Sequence, residues 1–420
     1  MSKKASIITI FLVFILIVAG FLYFYFSTNG TPTTSPTVPA DTNLPFGNSP
    51  TETPSDINTD TTGDTGQTTN TDNTIKNTAQ LKQIYDKPIS GVVFTKTKDE
   101  KTPLRFIDRA TGNAYEYIPD SDKEISARLT NTTIPKIQEA VWSPTGENLV
   151  LRYLDDNNNI SSFLGKIKLS TSTGDTIGEI NGSFLPSNIK QLVINPAGTK
   201  IFEVLEKSDR SGSYGVMLSI DGSGKKEIFN SKLSHLNISW PKDNIIAINT
   251  KPSSITSGFL FFFNTQTSSL EKILGNISGL STLTNKDTSM VAYSKSQSGS
   301  FILDIYDVKK KESRGVQISA LADKCVWGIK DTKILYCAVS KDVIPDYYPD
   351  AWYQGTKTFS DDIWSIDATT GATKLVYEID TERNIPMDVL DIKISSDDKY
   401  ISLTDKNDLS LWILKTTVEE

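Results

Sequence analysis

A turn sequence recurs along the chain at intervals that indicate a repeat architecture. Each copy follows a short apolar segment and contains Pro, Gly, Asn or Asp, the residues that favour chain reversal. The copies are Trp142-Ser143-Pro144-Thr145-Gly146, Asn195-Pro196-Ala197-Gly198, Trp240-Pro241-Lys242-Asp243, Thr284-Asn285-Lys286-Asp287 and Ser395-Ser396-Asp397-Asp398. With a further turn at Ile329, successive copies are 44 to 67 residues apart. Repeats of this length are typical of solenoids and propellers, and the shorter intervals match the ~40–45 residues of a four-stranded propeller blade.

A second set of turns divides the repeats further. Its members are Asp108-Arg109-Ala110-Thr111-Gly112, Ser172-Thr173-Gly174-Asp175, Asp221-Gly222-Ser223-Gly224 and Asp367-Ala368-Thr369-Thr370-Gly371. The segments between turns are short and rich in β-branched and aromatic residues, which is typical of an antiparallel all-β fold. If the first turn joins the inner two strands of a blade and the second joins the outer two, the chain forms a β-propeller of seven four-stranded blades.

The predicted blades begin near residues 81, 138, 189, 234, 277, 321 and 388, with Lys87-Pro88 as a candidate turn of the first. The last repeat ends without a fourth strand, and the segment TAQLKQIYD at 78–86 can supply it. Pairing the two ends of the chain would close the ring and remove an exposed edge strand. We therefore assign residues 81–420 to the propeller.

The first 80 residues have a different composition. Residues 7–26 contain no charge and are long enough to span a bilayer core of ~30 Å. Lys3 and Lys4 precede them, which favours a cytoplasmic N-terminus. The aromatic end of the segment, at 23–26, indicates an uncleaved anchor; the alternative is a cleaved signal peptide. Residues 27–80 are rich in Thr, Ser, Pro, Asn and Asp, which predicts a disordered linker.

One stretch resembles a known repeat. Residues 142–150 read WSPTGENLV and resemble the W-S-P-D-G-x-x-I-A-F repeat of TolB-like propellers, and residues 195–201 are a weaker copy. The resemblance implies a TolB-like or WD-repeat-like propeller over most of 81–420. TolB carries a small α/β domain before its propeller, and the composition of 27–80 does not match such a domain. The order of anchor, linker and propeller is similar to that of membrane-anchored propeller proteins from uncharacterised bacterial families.

The interval between the turns at 329 and 396 is about 22 residues longer than its neighbours, and the surplus falls at 341–360. Long loops in compact domains are commonly functional. We predict that its aromatic side chains form a partly exposed patch on the propeller rim; the alternative is that they pack onto the propeller's core. The candidate binding residues are Tyr347, Tyr348, Asp350, Trp352, Tyr353 and Gln354.

Cys325 and Cys337 are the only two cysteines, and they lie 12 residues apart on either side of the turn near Ile329. Cross-strand pairing would bring them within bonding distance, so we predict a disulfide; two buried thiols are the alternative. With a single histidine, His235, a structural zinc site is not expected. Asp155–Asn159 lacks the Gly and Glu of an EF-hand loop and indicates a solvated turn. We predict neither a metal nor a cofactor.

These observations favour a membrane-anchored extracytoplasmic binding or scaffold module for an envelope protein or glycan. The alternative is an enzyme acting on envelope polysaccharide, a glycosidase or lyase with carboxylates at the propeller channel. Its candidate carboxylates are Asp346, Asp350, Asp361 and Asp362. The whole chain carries a formal charge of −7, which does not favour nucleic-acid binding.

Overall fold

The computed structural model describes residues 80–97, 99–121, 127–169, 177–380 and 386–416. Residues 75–420 form a compact unit. Its strands make seven antiparallel four-stranded sheets, each one blade of a β-propeller. The predicted fold and the predicted number of blades are therefore confirmed.

Blades 1 to 6 each consist of four strands that are consecutive in the chain. Blade 1 contains β2 (Ile89–Phe94), β3 (Leu104–Asp108), β4 (Ala114–Tyr117) and β5 (Ala127–Arg128), blade 2 contains β6 (Ile137–Trp142), β7 (Asn148–Leu154), β8 (Ile160–Lys168) and β9 (Glu179–Phe184), and blade 3 contains β10 (Ile189–Ile194), β11 (Lys200–Glu206), β12 (Ser213–Ser219) and β13 (Lys226–Ser231). Blade 4 contains β14 (Leu236–Lys242), β15 (Ile245–Thr250), β16 (Ser257–Asn264) and β17 (Leu270–Ser278), blade 5 contains β18 (Ser281–Thr284), β19 (Met290–Gln297), β20 (Ser300–Asp307) and β21 (Glu312–Gly315), and blade 6 contains β22 (Cys325–Trp327), β23 (Ile334–Ser340), β24 (Asp361–Asp367) and β25 (Thr373–Tyr377).

Blade 7 is built from both ends of the chain. Its first three strands are β26 (Val389–Ile394), β27 (Tyr400–Asp405) and β28 (Leu411–Lys415), and its fourth is β1 (Leu81–Tyr85). Leu81 pairs with Leu414 in antiparallel register. The predicted closure of the ring by the N-terminal segment is confirmed, and blade 7 has no missing strand that would leave an open edge.

The hydrophobic core is a ring of layers between blades. One cluster joins blades 1 and 2, and the same arrangement recurs around the ring, including between blades 7 and 1. The alternation of side chains along each strand explains this, because successive residues of a strand point to the two neighbouring blades. In β11, Ile201 and Leu205 pack towards blade 2, whereas Phe202 and Val204 pack towards blade 4.

The antiparallel order of the strands defines two faces of the propeller. We call the side at which the first strands begin the entry face; it carries the loops between second and third strands and the connections between blades. The opposite side, the exit face, carries the loops between first and second strands and between third and fourth strands. The recurring turns at Pro144, Pro196, Asn285 and Ser396 join first to second strands, so they lie on the exit face.

Two turns differ from their predicted places. Lys87-Pro88 lies in the connection from β1 to β2 on the entry face, because the segment before it belongs to blade 7. The turn at Asp108–Gly112 joins the second and third strands of blade 1, not the outer two.

The turn at Asp155–Asn159 joins β7 to β8, and the Asp155 carboxylate accepts hydrogen bonds from the amides of Asn157 and Asn159, as expected of a solvated turn.

The predicted anchor at 7–26 and the predicted linker at 27–80 lie outside the described residues, except for Gln80. Over the part of the chain that the structure describes, no helix has the length and apolar character needed to cross a membrane. The anchor and the linker therefore stay predictions from the sequence.

Candidate functional site

A channel runs through the centre of the propeller, bordered by the first strands of the blades. Each first strand pairs on one side only, with the second strand of its blade, so its other edge faces the channel. The channel encloses about 730 Å³ and is lined by residues of β2, β6, β10, β14, β22 and β26. Most of these are apolar, with a few polar side chains among them. This size and composition are those of ligand-binding cavities.

The first strands of four blades carry an irregularity at a similar place near the entry face. The register against the second strand shifts just after Ile89, Ile137, Ile189 and Val389. Such β-bulges turn side chains out of the regular alternation and are common next to binding sites. We call the residues that complete these bulges in the channel wall the bulge ring: Gly91, Glu139, Gln191 and Asp391.

The charged groups that line the channel are equal in number for the two signs, and both carboxylates have a cationic partner. Glu139 accepts a hydrogen bond from Arg152 at 2.8 Å, and Asp391 forms an ion pair with Lys393 at 2.6 Å. The Arg109 guanidinium donates to the Gln138 amide oxygen at 2.7 Å. Two cations, Arg109 and Lys393, and two anions, Glu139 and Asp391, therefore line this cavity. A ligand in the channel therefore meets ion-paired and neutral hydrogen-bonding groups, and one lining cation, Arg109, whose partner is a neutral amide.

Two indole groups join neighbouring blades around the channel. The Trp142 indole donates to the Gly91 carbonyl oxygen of blade 1, and the Trp327 indole donates to the Leu283 carbonyl oxygen of blade 5. Gly91 has a φ of 133°, and a Cβ atom there would lie 2.4 Å from the Ala140 carbonyl oxygen. Only glycine fits this close approach of blades 1 and 2, which holds one side of the channel wall in place.

The long loop of blade 6, residues 341–360, connects β23 to β24 on the entry face and contains one short helix, α1 (Asp350–Tyr353). Tyr348, Trp352 and Phe359 pack with Phe301 and Leu321 in a separate apolar cluster. Tyr348 and Trp352 are 1% and 3% exposed. The prediction of an exposed patch is wrong for these two residues, because their rings pack against Phe301 of blade 5 and Leu321 of the connection from blade 5 to blade 6. Tyr347 remains 70% exposed, Tyr353 is 36% exposed, and Gln354 is exposed.

A buried ion cluster lies beneath Trp352. The Lys324 ammonium contacts the Asp361 carboxylate at 2.6 Å and the Asp388 carboxylate at 2.5 Å, and all three side chains are fully buried. The Trp352 indole donates to both Asp388 oxygens at 3.0 Å. Burial raises the pKa of Asp361, against the opposing charge of Lys324. Lys324 and Asp388 immediately precede β22 and β26, so the cluster fixes the start of two first strands.

Lys406 ties the same loop to blade 7. Its ammonium donates to the Trp352 carbonyl oxygen at 2.7 Å and lies 4.4 Å from the Trp352 ring centroid. Burial lowers the pKa of Lys406, while the Asp388 carboxylate opposes that shift. A cation over an indole ring is stabilising, more so where water is excluded. Trp352 is thus held by contacts from blades 6 and 7 together.

The other candidate residues of this loop connect it to further blades. The Ser254 amide of blade 4 donates to the Asp350 carboxylate at 2.6 Å. Although burial acts to raise the pKa of Asp350, the hydrogen bonds from the serines of this blade hold it below its ordinary value. The Tyr353 hydroxyl donates to Asp323 at 2.6 Å. The loop therefore crosses the entry face from blade 4 to blade 7 as a fixed element.

The carboxylates predicted for the enzyme alternative do not meet in the channel. Asp361 belongs to the buried ion cluster, and Asp362 pairs with Lys341 at 2.9 Å. Asp346 pairs with Lys357, and Asp350 accepts from blade 4 as described. None of these four lines the channel cavity, whose carboxylates come from blades 2 and 7.

The two cysteines occupy directly opposite positions on β22 and β23. Their Cα atoms are 4.0 Å apart and their Sγ atoms are bonded in the structure. The register that a disulfide requires is therefore present, with both side chains in the core between blades 5 and 6. Among the described residues, no group of three or more His, Cys, Asp or Glu side chains is placed to hold a metal ion.

Reasoning from the sequence missed the bulge ring. A signal exists in hindsight, because the aligned first strands read IQEAV, IKQLV and VLDIK from residues 137, 189 and 389. The third residue of each is polar, although the first is apolar and buried. Strict strand alternation would place this residue on the same side as the buried first one, so a polar residue there indicates a bulge.

Comparisons with known proteins bear on the fold. No protein-family model and no curated protein sequence matches the chain. An oligogalacturonate lyase from Vibrio parahaemolyticus has 11% sequence identity and a TM-score of 0.52, with 80% of this chain and 91% of the lyase covered. TolB from Acinetobacter baumannii has 10% identity and a TM-score of 0.41, covering 63% and 59%. The Cps50 (Swd1) propeller domain from Myceliophteria thermophila has 9% identity and a TM-score of 0.49, covering 80% and 100%. At such identities a likeness shows the fold alone, and that fold is the β-propeller whose seven blades the strand order shows.

Proposed function

We propose that this protein is a membrane-anchored binding module whose propeller lies outside the cytoplasm and binds an envelope component, a protein or a glycan, in its central channel. The observation that carries the proposal is the channel itself. It has about 730 Å³ of space, a mainly apolar wall and a small set of polar side chains near the entry face. Cavities of this kind are where ligands bind in most proteins.

The charge arrangement supports binding over catalysis. Carboxylates that act as general acid or base in glycoside chemistry work as a pair across the scissile bond. Here each channel carboxylate has a cationic partner of its own, Arg152 for Glu139 and Lys393 for Asp391. An ion pair turns each carboxylate towards its cation, whereas glycoside chemistry needs both carboxyl groups directed at the scissile bond.

Location outside the cytoplasm is supported by the uncharged segment 7–26 behind Lys3 and Lys4, and by the disulfide-bonded Cys325 and Cys337. Protease added to intact cells, with the outer envelope opened where there is one, should degrade the propeller. A propeller that stays protected, or a mature form lacking residues 1–30, would contradict the topology.

Binding is tested with residues 75–420, which contain every strand that the structure describes. Immobilised on beads, this fragment should retain a component from native membranes or from a panel of cell-wall polysaccharides. A Gln191→Leu variant, which removes an amide from the channel wall, should retain less of it. Gln266→Leu makes the same change at an exposed exit-face turn and should retain as much as the unchanged protein. Equal retention by all three proteins would place the binding site outside the channel.

The alternative function, a polysaccharide-acting enzyme, is tested on the same fragment. The carboxylates that line the channel are Glu139 and Asp391. Incubation with the polysaccharides of the panel should release no new reducing ends and no unsaturated products. Release of either, abolished by Glu139→Gln with binding retained, would replace the binding module by an enzyme.

A further inference from the structure

The inner edges of the first strands determine whether a ligand in the channel can bind by strand addition or must be recognised by side chains. A peptide that adds a strand to a sheet needs a regular edge of unpaired N–H and C=O groups. In blades 1, 2, 3 and 7 that edge is interrupted near the entry face by the bulges after Ile89, Ile137, Ile189 and Val389. Bulges are one of the devices by which edges are kept from pairing. Recognition there falls to side chains instead of strand addition.

The side chains that the bulges turn into the channel are hydrogen-bonding groups. Glu139, Gln191 and Asp391 occupy equivalent places in blades 2, 3 and 7, and Gln138 and Lys393 adjoin them. The Glu139 and Lys393 side chains are 47% and 48% exposed, so they reach the solvent of the channel. Hydrogen-bond donors and acceptors from three blades therefore line the channel near the entry face.

Charge balance selects the kind of ligand. The cations and anions that line this cavity are equal in number, and each carboxylate already has its counter-ion. An anionic polymer would find a single cation without a carboxylate partner among the described residues of the wall, Arg109, for its several charges, and a cationic one would find no free carboxylate, so either would be bound at a desolvation cost with little compensation. A neutral molecule rich in hydroxyl groups can donate to the carboxylates and accept from Lys393 and Gln191 without separating the existing pairs.

We propose that the channel binds an uncharged oligosaccharide, held by hydrogen bonds to the bulge ring and by the apolar walls below it. This inference rests on the proposed binding function and names its ligand class. The cavity volume lies in the range that holds a ligand of a few sugar units. The loop at 341–360 lies across blades 4 to 7, which leaves the bulge-ring blades 1, 2 and 3 clear of it on the entry face.

The test is calorimetric titration of residues 75–420 with defined probes. The neutral probes are cellotetraose, maltotetraose, mannotetraose and tetra-N-acetylchitotetraose; the anionic probe is tetragalacturonate; the peptide probe is a mixture of unstructured octapeptides. At least one neutral tetrasaccharide should bind, with an affinity that salt does not change, since an uncharged ligand releases no ions.

Two channel variants and two matched controls locate the site. Gln191→Leu should weaken binding of the neutral probe about tenfold, the effect of one lost hydrogen bond of about 1.4 kcal/mol. Asp391→Asn should weaken it similarly and, by leaving Lys393 without its partner, should raise the affinity for tetragalacturonate. Gln266→Leu and Asp156→Asn, the same changes at exposed turns, should alter neither affinity. Urea unfolding midpoints of all four variants check that each is folded.

Different results of these experiments would contradict the ligand class and the binding function. Binding of tetragalacturonate alone, weakened by salt, or binding of the peptides alone would overturn the oligosaccharide and leave a binding module. Neutral-probe binding that neither channel variant changes would overturn the bulge ring as its site. If no probe binds, the oligosaccharide is wrong; if the bead experiment also retains nothing, the binding module is wrong too.

Discussion

Glu203 is a buried carboxyl in the layer between blades 2 and 3. It lies on β11 between Ile201 and Leu205, which pack in the same layer, and its side chain is 1% exposed. Its Oε1 atom has no hydrogen-bond partner among the described residues. Burial raises the pKa of Glu203 from 4.5 to about 7, and the charge of Lys225 opposes this only in part. We predict that Glu203 makes the stability of the propeller depend on pH.

The direction in which stability changes with pH depends on whether the folded or the unfolded chain binds the Glu203 proton more tightly. A carboxyl with a raised pKa in the folded state binds its proton more tightly there than in the unfolded chain. Its contribution to stability is therefore fully present below about pH 4.5 and is lost as the pH rises through 7. A shift of this size corresponds to about 3 kcal/mol, at 1.36 kcal/mol for each pKa unit.

Glu203→Gln removes the titration and keeps the shape. Urea unfolding of the variant and the unchanged protein should give similar free energies at pH 4, and the variant should be more stable by about 3 kcal/mol at pH 8. Glu147→Gln, the same change at an exposed exit-face turn, should show no such pH-dependent difference. A constant difference between Glu203→Gln and the unchanged protein from pH 4 to pH 8 would refute the reasoning.

Three further outcomes are expected. Trp352→Ala should lower the free energy of unfolding by about 3–5 kcal/mol, because the ring is buried, whereas Tyr347→Ala, at an exposed ring of the same loop, should lower it by less than about 0.5 kcal/mol; equal effects in thermal melts would contradict the packing described. Gly91→Ala should cost roughly 2 kcal/mol or more, because its Cβ would overlap the neighbouring blade, and urea unfolding that finds no loss would show that the blades can separate there. Cys325 and Cys337 should be oxidised in protein exported from the cytoplasm, and mass spectrometry that finds two alkylatable thiols after denaturation without reductant would exclude the disulfide in the cell.

The blades were predictable because their signals are local. A turn such as that at Pro144 is specified by a few adjacent residues, and the repetition of such turns determines both the class and the number of blades. The closing strand was predictable for a related reason: β26, β27 and β28 left one place open, and TAQLKQIYD was the unassigned segment able to fill it.

The packing of the 341–360 loop could not be predicted, because its partners are distant in the sequence. Trp352 is buried since Asp388, 36 residues away, accepts its indole N–H, and since Lys406, 54 residues away, donates to its carbonyl oxygen. Aromatic residues in a long loop satisfy the criteria for an exposed patch and for a packed plug equally well. The bulge ring was not predicted, because a bulge is a shift in the pairing between the first and second strands. The hydrophobic periodicity of one strand carries no information about that pairing.

The construction of blade 7 from both ends of the chain has a consequence for how the protein reaches its native state. Gln80 and Lys415 meet across 335 residues, so the seam between β1 and β28 forms only after all the intervening blades have been synthesised. Contacts of such high sequence separation slow folding and prolong the time in which strand edges stay open to other chains. Until β28 is available, the edge of β1 lacks its partner, and this protein depends more than a local-contact fold on whatever protects unfinished chains from association.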